Sequence, residues 1–171
     1  VLDNCAAPKL LIDHHLTPDI DAVLSISHPE MSSTSELVFD IIRQLDGYEA
    51  MTEQTAVCIY CGMMTDTGGF TYNSTRPEIF YIISQLLAKG IDKDKIYNKV
   101  YHTLSTSCMK LRSYVIYHKM HVVEKLHASY FTITKGEMRR FRFMKGDAEG
   151  LVNEPLRIKG MKFSISLRED T

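Results

Sequence analysis

Three consecutive residues, Asp13, His14 and His15, join a carboxylate to two imidazoles, side chains that bind divalent metals and carry protons. A second concentration of chemistry lies at Asp66-Thr67-Gly68-Gly69-Phe70, an acid followed by a hydroxyl, two glycines and an aromatic ring. Glycine lets a backbone approach a ligand or take positive φ, so Asp66 is a candidate to reach a metal that His14 also reaches. The plainer reading of the same stretch is a helix end capped by Gly68, and both readings stand. Arg139, Arg140 and Arg142 alternate with Phe141 and Phe143. That composition suits phosphate binding with base stacking, or equally an amphipathic helix with solvated arginines. Cys58-x-x-Cys61 sits inside a helical stretch with no second pair, and His118-x-x-His121 lacks a third ligand, so neither is expected to hold metal.

These residues need elements to position them. Lys9 to Ile12 is a short apolar run without alternation, which suits a strand buried on both faces of a parallel sheet. Ligands in open α/β sheets sit beyond the carboxyl ends of the strands, which is where Asp13-His14-His15 would emerge. Asp21 to Ser27 reads as a second strand. The hydroxyl cluster Ser32 to Ser35 opens a helix with Leu37, Val38, Ile41, Ile42 and Leu45 on one face, ending near Asp46-Gly47. Thr52-Glu53 opens the next, with Ala56, Ile59, Tyr60 and Met63 sharing a face, and it runs into Asp66. Phe70-Thr71-Tyr72 is expected as a short strand. Asn73 to Glu78 then starts a helix with a capping hydroxyl and Pro77 in its first turn, stopping at Lys89-Gly90. Asp92 begins a short helix, and Leu104 to Tyr117 is helical again. Beyond it the pattern turns β-rich: His121 to Glu124 and Ser129 to Thr134 form a hairpin, and Ile158 to Leu167 alternates as a last strand pair.

The 171 residues are 44% hydrophobic and 24% charged, ordinary for a globular chain and enough for one medium domain or two small ones. No apolar run approaches the ~18 residues that span a bilayer. The cysteines Cys5, Cys58, Cys61 and Cys108 are few and scattered, as expected of free thiols in a reducing compartment. Charge is segregated: residues 1–70 hold two basic and eleven acidic side chains, and residues 71–171 hold eighteen basic and ten acidic. An acidic half suits cation binding and a basic half a phosphate-rich partner, unless these are merely solvated faces.

The motifs Leu11-Ile12-Asp13-His14-His15 and Gly62-Met63-Met64-Thr65-Asp66-Thr67-Gly68-Gly69-Phe70 together resemble the DHH phosphoesterase superfamily. The resemblance extends to its RecJ-like oligoribonuclease branch, whose members are also called exopolyphosphatase-related. It implies an α/β fold, a parallel sheet flanked by helices, followed by the start of a smaller mixed α+β DHHA1 domain. On that basis residues 1–103 are the C-terminal portion of a DHH domain, 104–118 a connecting helix and 119–171 the N-terminal portion of DHHA1. Carried across position by position, His14 and Asp66 are metal ligands, His15 faces the substrate phosphate, and Asp13 orients the site. Arg139, Arg140 and Arg142 are assigned to substrate binding.

The resemblance further implies a cytoplasmic hydrolase of short oligonucleotides or 3′-phosphoadenosine 5′-phosphate. Water would attack in line, assisted by two divalent ions, Mn²⁺ with Mg²⁺ or Co²⁺ as alternatives. The expected partners are short RNA or DNA oligonucleotides or nucleotides, with no membrane and with a homodimer left open. The family's aspartate-rich first motif is not found before Asp13, nor its Gly-rich DHHA1 motif after Arg168. The chain is therefore expected to be an internal portion of a longer protein, with weak or no hydrolysis by itself. Two alternatives remain: an exopolyphosphatase or pyrophosphatase of the same family, and a non-catalytic nucleotide-binding DHH protein.

Overall fold

The computed structural model describes residues 5–45 and 47–169. Residues 1–4, Asp46 in the expected end of the first helix, and residues 170–171 lie outside the described residues. The chain divides into two compact units, the first running to His102 and the second beginning at Thr103.

In the first unit, strands β1 (Leu10–Asp13) and β2 (Leu24–Ser27) pair in parallel, Leu10 opposite Leu24 and Asp13 opposite Ser27. Helices α1 (Thr34–Gln44), α2 (Glu53–Asp66), α3 (Pro77–Ala88) and α4 (Lys93–Tyr101) follow. The core is helical: Phe39, Ile59, Met63, Ile79, Ile82 and Leu86 are all buried in one cluster. The parallel pairing is as expected, but β1 is not buried on both faces. Leu10 is 58% exposed and Leu24 54%, because among the described residues the sheet has two strands and α1 packs against β1.

Three local expectations are corrected. Phe70 to Tyr72 is a turn, not a strand, since Gly68, Gly69, Phe70 and Asn73 all adopt positive φ, which no strand tolerates. Helix α3 has no side-chain cap: its N-cap is Arg76, and the Ser74 hydroxyl donates instead to the Phe70 carbonyl at 2.9 Å. On α1, Leu45 is 76% exposed, and Phe39, not counted on the apolar face, is fully buried. Its cap is Leu45, with the Gly47 N–H closing onto the Ile42 carbonyl at 2.9 Å.

Helices α1 and α2 touch where Gly62 meets Ser35. A Cβ added at Gly62 would lie 2.0 Å from the Ser35 hydroxyl oxygen and 2.9 Å from its Cβ. Alanine is the better helix former by about 1 kcal/mol, but overpacking costs about 1–3 kcal/mol, and the clash includes an atom that no rotamer can move. Gly62→Ala is therefore expected to lower stability, read as a lower thermal midpoint.

The second unit opens with α5 (Thr106–Tyr114), which widens into a π-helical turn, Val115–Lys119. Strands β3 (His121–Val123) and β4 (Ala128–Ile133) form the expected antiparallel hairpin. Helix α6 (Lys135–Arg140) then leads through a 3₁₀ segment, Leu151–Arg157, to β5 (Phe163–Arg168). The expected last strand pair is a single strand, and β5 pairs with β4 in parallel. Residues 158–162 are left out of the sheet by the turn that follows the 3₁₀ segment, where Met161 N–H bonds to the Ile158 carbonyl. Leu111, Val115, Phe131, Ile133, Met138 and Leu151 form this unit's own core.

Glu137 ties the second unit together. One carboxylate oxygen accepts from Tyr114 Oη (2.9 Å) and Lys119 Nζ (2.8 Å). The other accepts from the Thr134 N–H and hydroxyl, closing a capping box on α6. Burial pushes the Glu137 carboxyl up, but the hydrogen bonds from Lys119, Thr134 and Tyr114 outweigh it and bring it from 4.5 to about 2. A carboxyl depressed by folding contributes stability that is complete above its ordinary pKa and is lost as pH falls through the folded value. The denaturant midpoint should thus fall between pH 4.5 and about 2. Glu137→Gln should flatten that fall and cost about 2 kcal/mol at neutral pH.

Candidate metal centre

Asp13 is the last residue of β1, and the His28 N–H donates to its carbonyl at 3.1 Å, so the ladder fixes this strand end. His14 follows directly. Its Nδ1 lies 3.3 Å from the Met31 carbonyl oxygen. A carbonyl can only accept, so Nδ1 carries a proton, and in the neutral imidazole the lone pair then resides on Nε2. That nitrogen faces Asp66 Oδ2 at 3.3 Å, with the imidazole 18% exposed and the carboxylate 45%.

Asp66 is the last residue of α2, and the helix ends there in a Schellman motif. The Gly69 N–H bonds to the Met64 carbonyl (2.8 Å) and the Gly68 N–H to that of Thr65 (3.2 Å), with Gly68 at φ 55°. A Cβ on Gly68 would come within 2.1 Å of the Tyr72 ring, so the turn needs glycine for both conformation and space. Buried Thr67 locks it further: its hydroxyl donates to the Met63 carbonyl at 2.7 Å and accepts from the Phe70 N–H at 3.0 Å. Helix capping and the placing of Asp66 are therefore the same feature, since the cap is what aims its carboxylate. The negative end of the helix dipole lies here, no basic residue occupies the last turn, and a carboxylate in this position favours a bound cation.

Asp13 and His15 pair with each other, His15 Nδ1 lying 2.6 Å from Asp13 Oδ1. The His15 hydrogen bond, assisted by the backbone N–H groups of His15 and His14, holds the Asp13 carboxyl below its ordinary value despite partial desolvation. The His15 side chain is 77% exposed, and its ring centroid stands 4.8 Å from that of His14. The fold thus brings His14 to Asp66 and gives Asp13 to His15.

A further constellation escaped the sequence. Glu36 is completely buried and accepts from the Ser32 N–H and hydroxyl, both at 2.8 Å, and from Arg76 Nη2 at 2.8 Å. Arg76 Nη1 donates to the Glu30 carbonyl at 3.0 Å and contacts Met31 Sδ at 3.3 Å. The same Met31 supplies the carbonyl that holds His14. Glu36 reads locally as a capping acid and Arg76 as a residue before a helix. Only Arg before Pro hinted that its side chain, free of a capping duty, had another task.

Two donor atoms bound at about 2.1 Å to one hard cation, at near right angles, stand about 3 Å apart. The His14–Asp66 separation fits such a pair, and imidazole with carboxylate fits Mn²⁺, Mg²⁺ or Co²⁺. Among the described residues no group of three or more His, Cys, Asp or Glu side chains converges. His118 lies tilted against Tyr114 and edge-on to Tyr117, while His121 stacks on Tyr130.

The three arginines separate within the second unit. Arg139 and Arg142 line a groove of about 310 Å³ with Lys135, Met138 and Phe143. Arg140 lies instead over the Tyr114 and Phe141 rings, 5.6 and 5.3 Å from their centroids.

The chain is similar to an exopolyphosphatase-related protein from Bacteroides fragilis of known crystal structure, with 52% identity and a TM-score of 0.93 over 96% of this chain and 48% of that one. It is 35% identical over 80 residues, 47% of this chain and 24% of the relative, to the bifunctional oligoribonuclease and PAP phosphatase NrnA of Thermus thermophilus. It is 26% identical to the protein of that name in Bacillus subtilis over 96% of this chain and 52% of the relative. The chain spans between 24% and 52% of the length of the curated relatives it matches. Residues 2–63 match the family model described as DHH family, N-terminal domain.

Proposed function

We propose that this chain is part of a metal-dependent phosphoesterase that hydrolyses short oligonucleotides or 3′-phosphoadenosine 5′-phosphate. The observation that carries the reading is the approach of His14 Nε2 to Asp66 Oδ2 across 52 residues, at a capped helix end with no basic neighbour. His14 and Asp66 would hold a divalent ion, Mn²⁺ first, in a site that takes two ions when complete. Bound ions lower the pKa of water and stabilise the charge of a phosphoryl group undergoing in-line displacement.

The chain's other residues have definable tasks. The Met31 carbonyl keeps the His14 proton on Nδ1, so Nε2 stays available as a donor atom. Asp13 holds His15 Nδ1, which leaves the exposed Nε2 edge of the ring to face a phosphoryl oxygen. Because Asp13 ionises below the usual carboxylate range, this support should persist into mildly acid solution and fail only below it. In the second unit, the groove of Lys135, Arg139 and Arg142 over Met138 and Phe143 suits a ligand with both phosphate and a planar ring. Among the described residues no helix is long and apolar enough to cross a membrane. The scattered free thiols suit a reducing compartment, and on that ground we place the activity in the cytoplasm.

The name of the Bacteroides fragilis relative raises polyphosphate as a rival substrate. A stacking ring contributes nothing to polyphosphate, so competition binding separates the two: 3′-phosphoadenosine 5′-phosphate and a dinucleotide should bind more tightly than polyphosphate of equal charge. The metal reading is tested by calorimetric titration of the whole chain with Mn²⁺. His14→Ala and Asp66→Asn should each weaken binding by at least about tenfold. Equal Mn²⁺ affinity in both variants and the parent would remove the metal site and favour a nucleotide-binding protein without catalysis.

A further inference from the structure

We propose that Arg76 is a positioning residue for His14, acting through the Glu30-Met31 backbone to fix the tautomer of the imidazole. The guanidinium is anchored on one side by Glu36, whose carboxylate is fully buried and already held by Ser32. Its other nitrogen, Nη1, grips the Glu30 carbonyl at 3.0 Å and lies against the Met31 sulfur at 3.3 Å. Met31 is thereby fixed where its carbonyl accepts from His14 Nδ1, and Nε2 is left facing Asp66. A third contact, from Arg76 Nε to Glu78 at 3.7 Å, completes the guanidinium's surroundings. The arrangement requires a planar fork with two independent nitrogens. A lysine ammonium can reach Glu36 or the Glu30 carbonyl, but it cannot hold both in this geometry.

The effect on the tautomer rests on hydrogen bonding alone; only its consequence for metal affinity rests on the reading of His14 as a ligand. The test is nitrogen NMR of the His14 imidazole in the whole chain, assigned by its loss in His14→Gln. It is recorded about two units above the ordinary imidazole pKa of about 6.5. The parent should show a protonated Nδ1 and an unprotonated Nε2, the Met31 carbonyl holding the ring proton against the Asp66 carboxylate that competes for it at Nε2. Arg76→Lys should keep the native amide spectrum while the His14 shifts move toward a mixture of tautomers, and titration with Mn²⁺ alone should show about tenfold weaker binding. A native Arg76→Lys protein with unchanged His14 shifts overturns the proposal, because a purely structural ion pair would leave the tautomer alone. Should Arg76→Lys not fold, Glu36→Gln combined with Arg76→Gln replaces the charges by paired amides that cannot reach the Glu30 carbonyl, and the same shifts are read. Altered shifts with unchanged Mn²⁺ affinity would uphold Arg76 and remove His14 from the metal reading. Unchanged shifts sink Arg76 whatever Mn²⁺ does.

Discussion

The buried carboxylate of Glu36 is the constraint on which the first unit depends. An ionised carboxylate fully removed from water costs several kcal/mol unless its charge and lone pairs are matched. Ser32 supplies two hydrogen bonds and Arg76 the third, with the charge. Satisfying Glu36 ties three separate pieces of chain together: the segment leaving β2, the start of α1 and the start of α3. Helix α3 accordingly begins with no side-chain cap, because the residue at its N-cap is committed elsewhere. The loop carrying Met31 is held by the same guanidinium, so the polar solution to one buried charge also fixes the surroundings of His14.

The second half of the centre is built by a different device. Asp66 owes its position to the way α2 stops. The Schellman turn, Thr67 and the two left-handed glycines define the end of the helix within one residue. An acid there is mismatched with the helix dipole by several tenths of a kcal/mol, an expense that a bound cation would reverse. Gly62 serves the same geometry one turn earlier by letting α1 and α2 approach, which brings the Ser33–Glu36 start of α1 alongside the helix that carries Asp66.

The second unit repeats the principle on its own scale. Glu137 is a capping residue in the sequence, three positions after Thr134, and in the structure it also receives Lys119 and Tyr114. The π-helical turn at 115–119 begins directly after Tyr114 and ends on Lys119, so both donors flank or close that turn. Arg140, stacked on Tyr114 and Phe141, belongs to this framework, whereas Arg139 and Arg142 face a groove. Three arginines alike in composition thus have two different surroundings.

Much of this was legible without coordinates, wherever the cause is local. Strand β1 ending at Asp13 just before His14-His15, the face Ala56-Ile59-Tyr60-Met63 on α2, the β3–β4 hairpin and the glycine turn after α2 all follow from residue pattern and from the backbone freedom of glycine. The stretch Phe70 to Tyr72 was misread because β-prone side chains said nothing of the Thr67 hydroxyl that draws the backbone into a turn. The chemical character of the centre, imidazole with carboxylate, was likewise set by residue types. What only the tertiary structure decided is pairing across long separations. His14 meets Asp66, Asp13 is taken by His15 and not left free, and Arg76 reaches back 40 residues to Glu36. Hydrogen bonds and ion pairs act over about 3 Å of space and carry no mark along the chain; their partners are chosen by the packing of helices, once the core has set where each one ends.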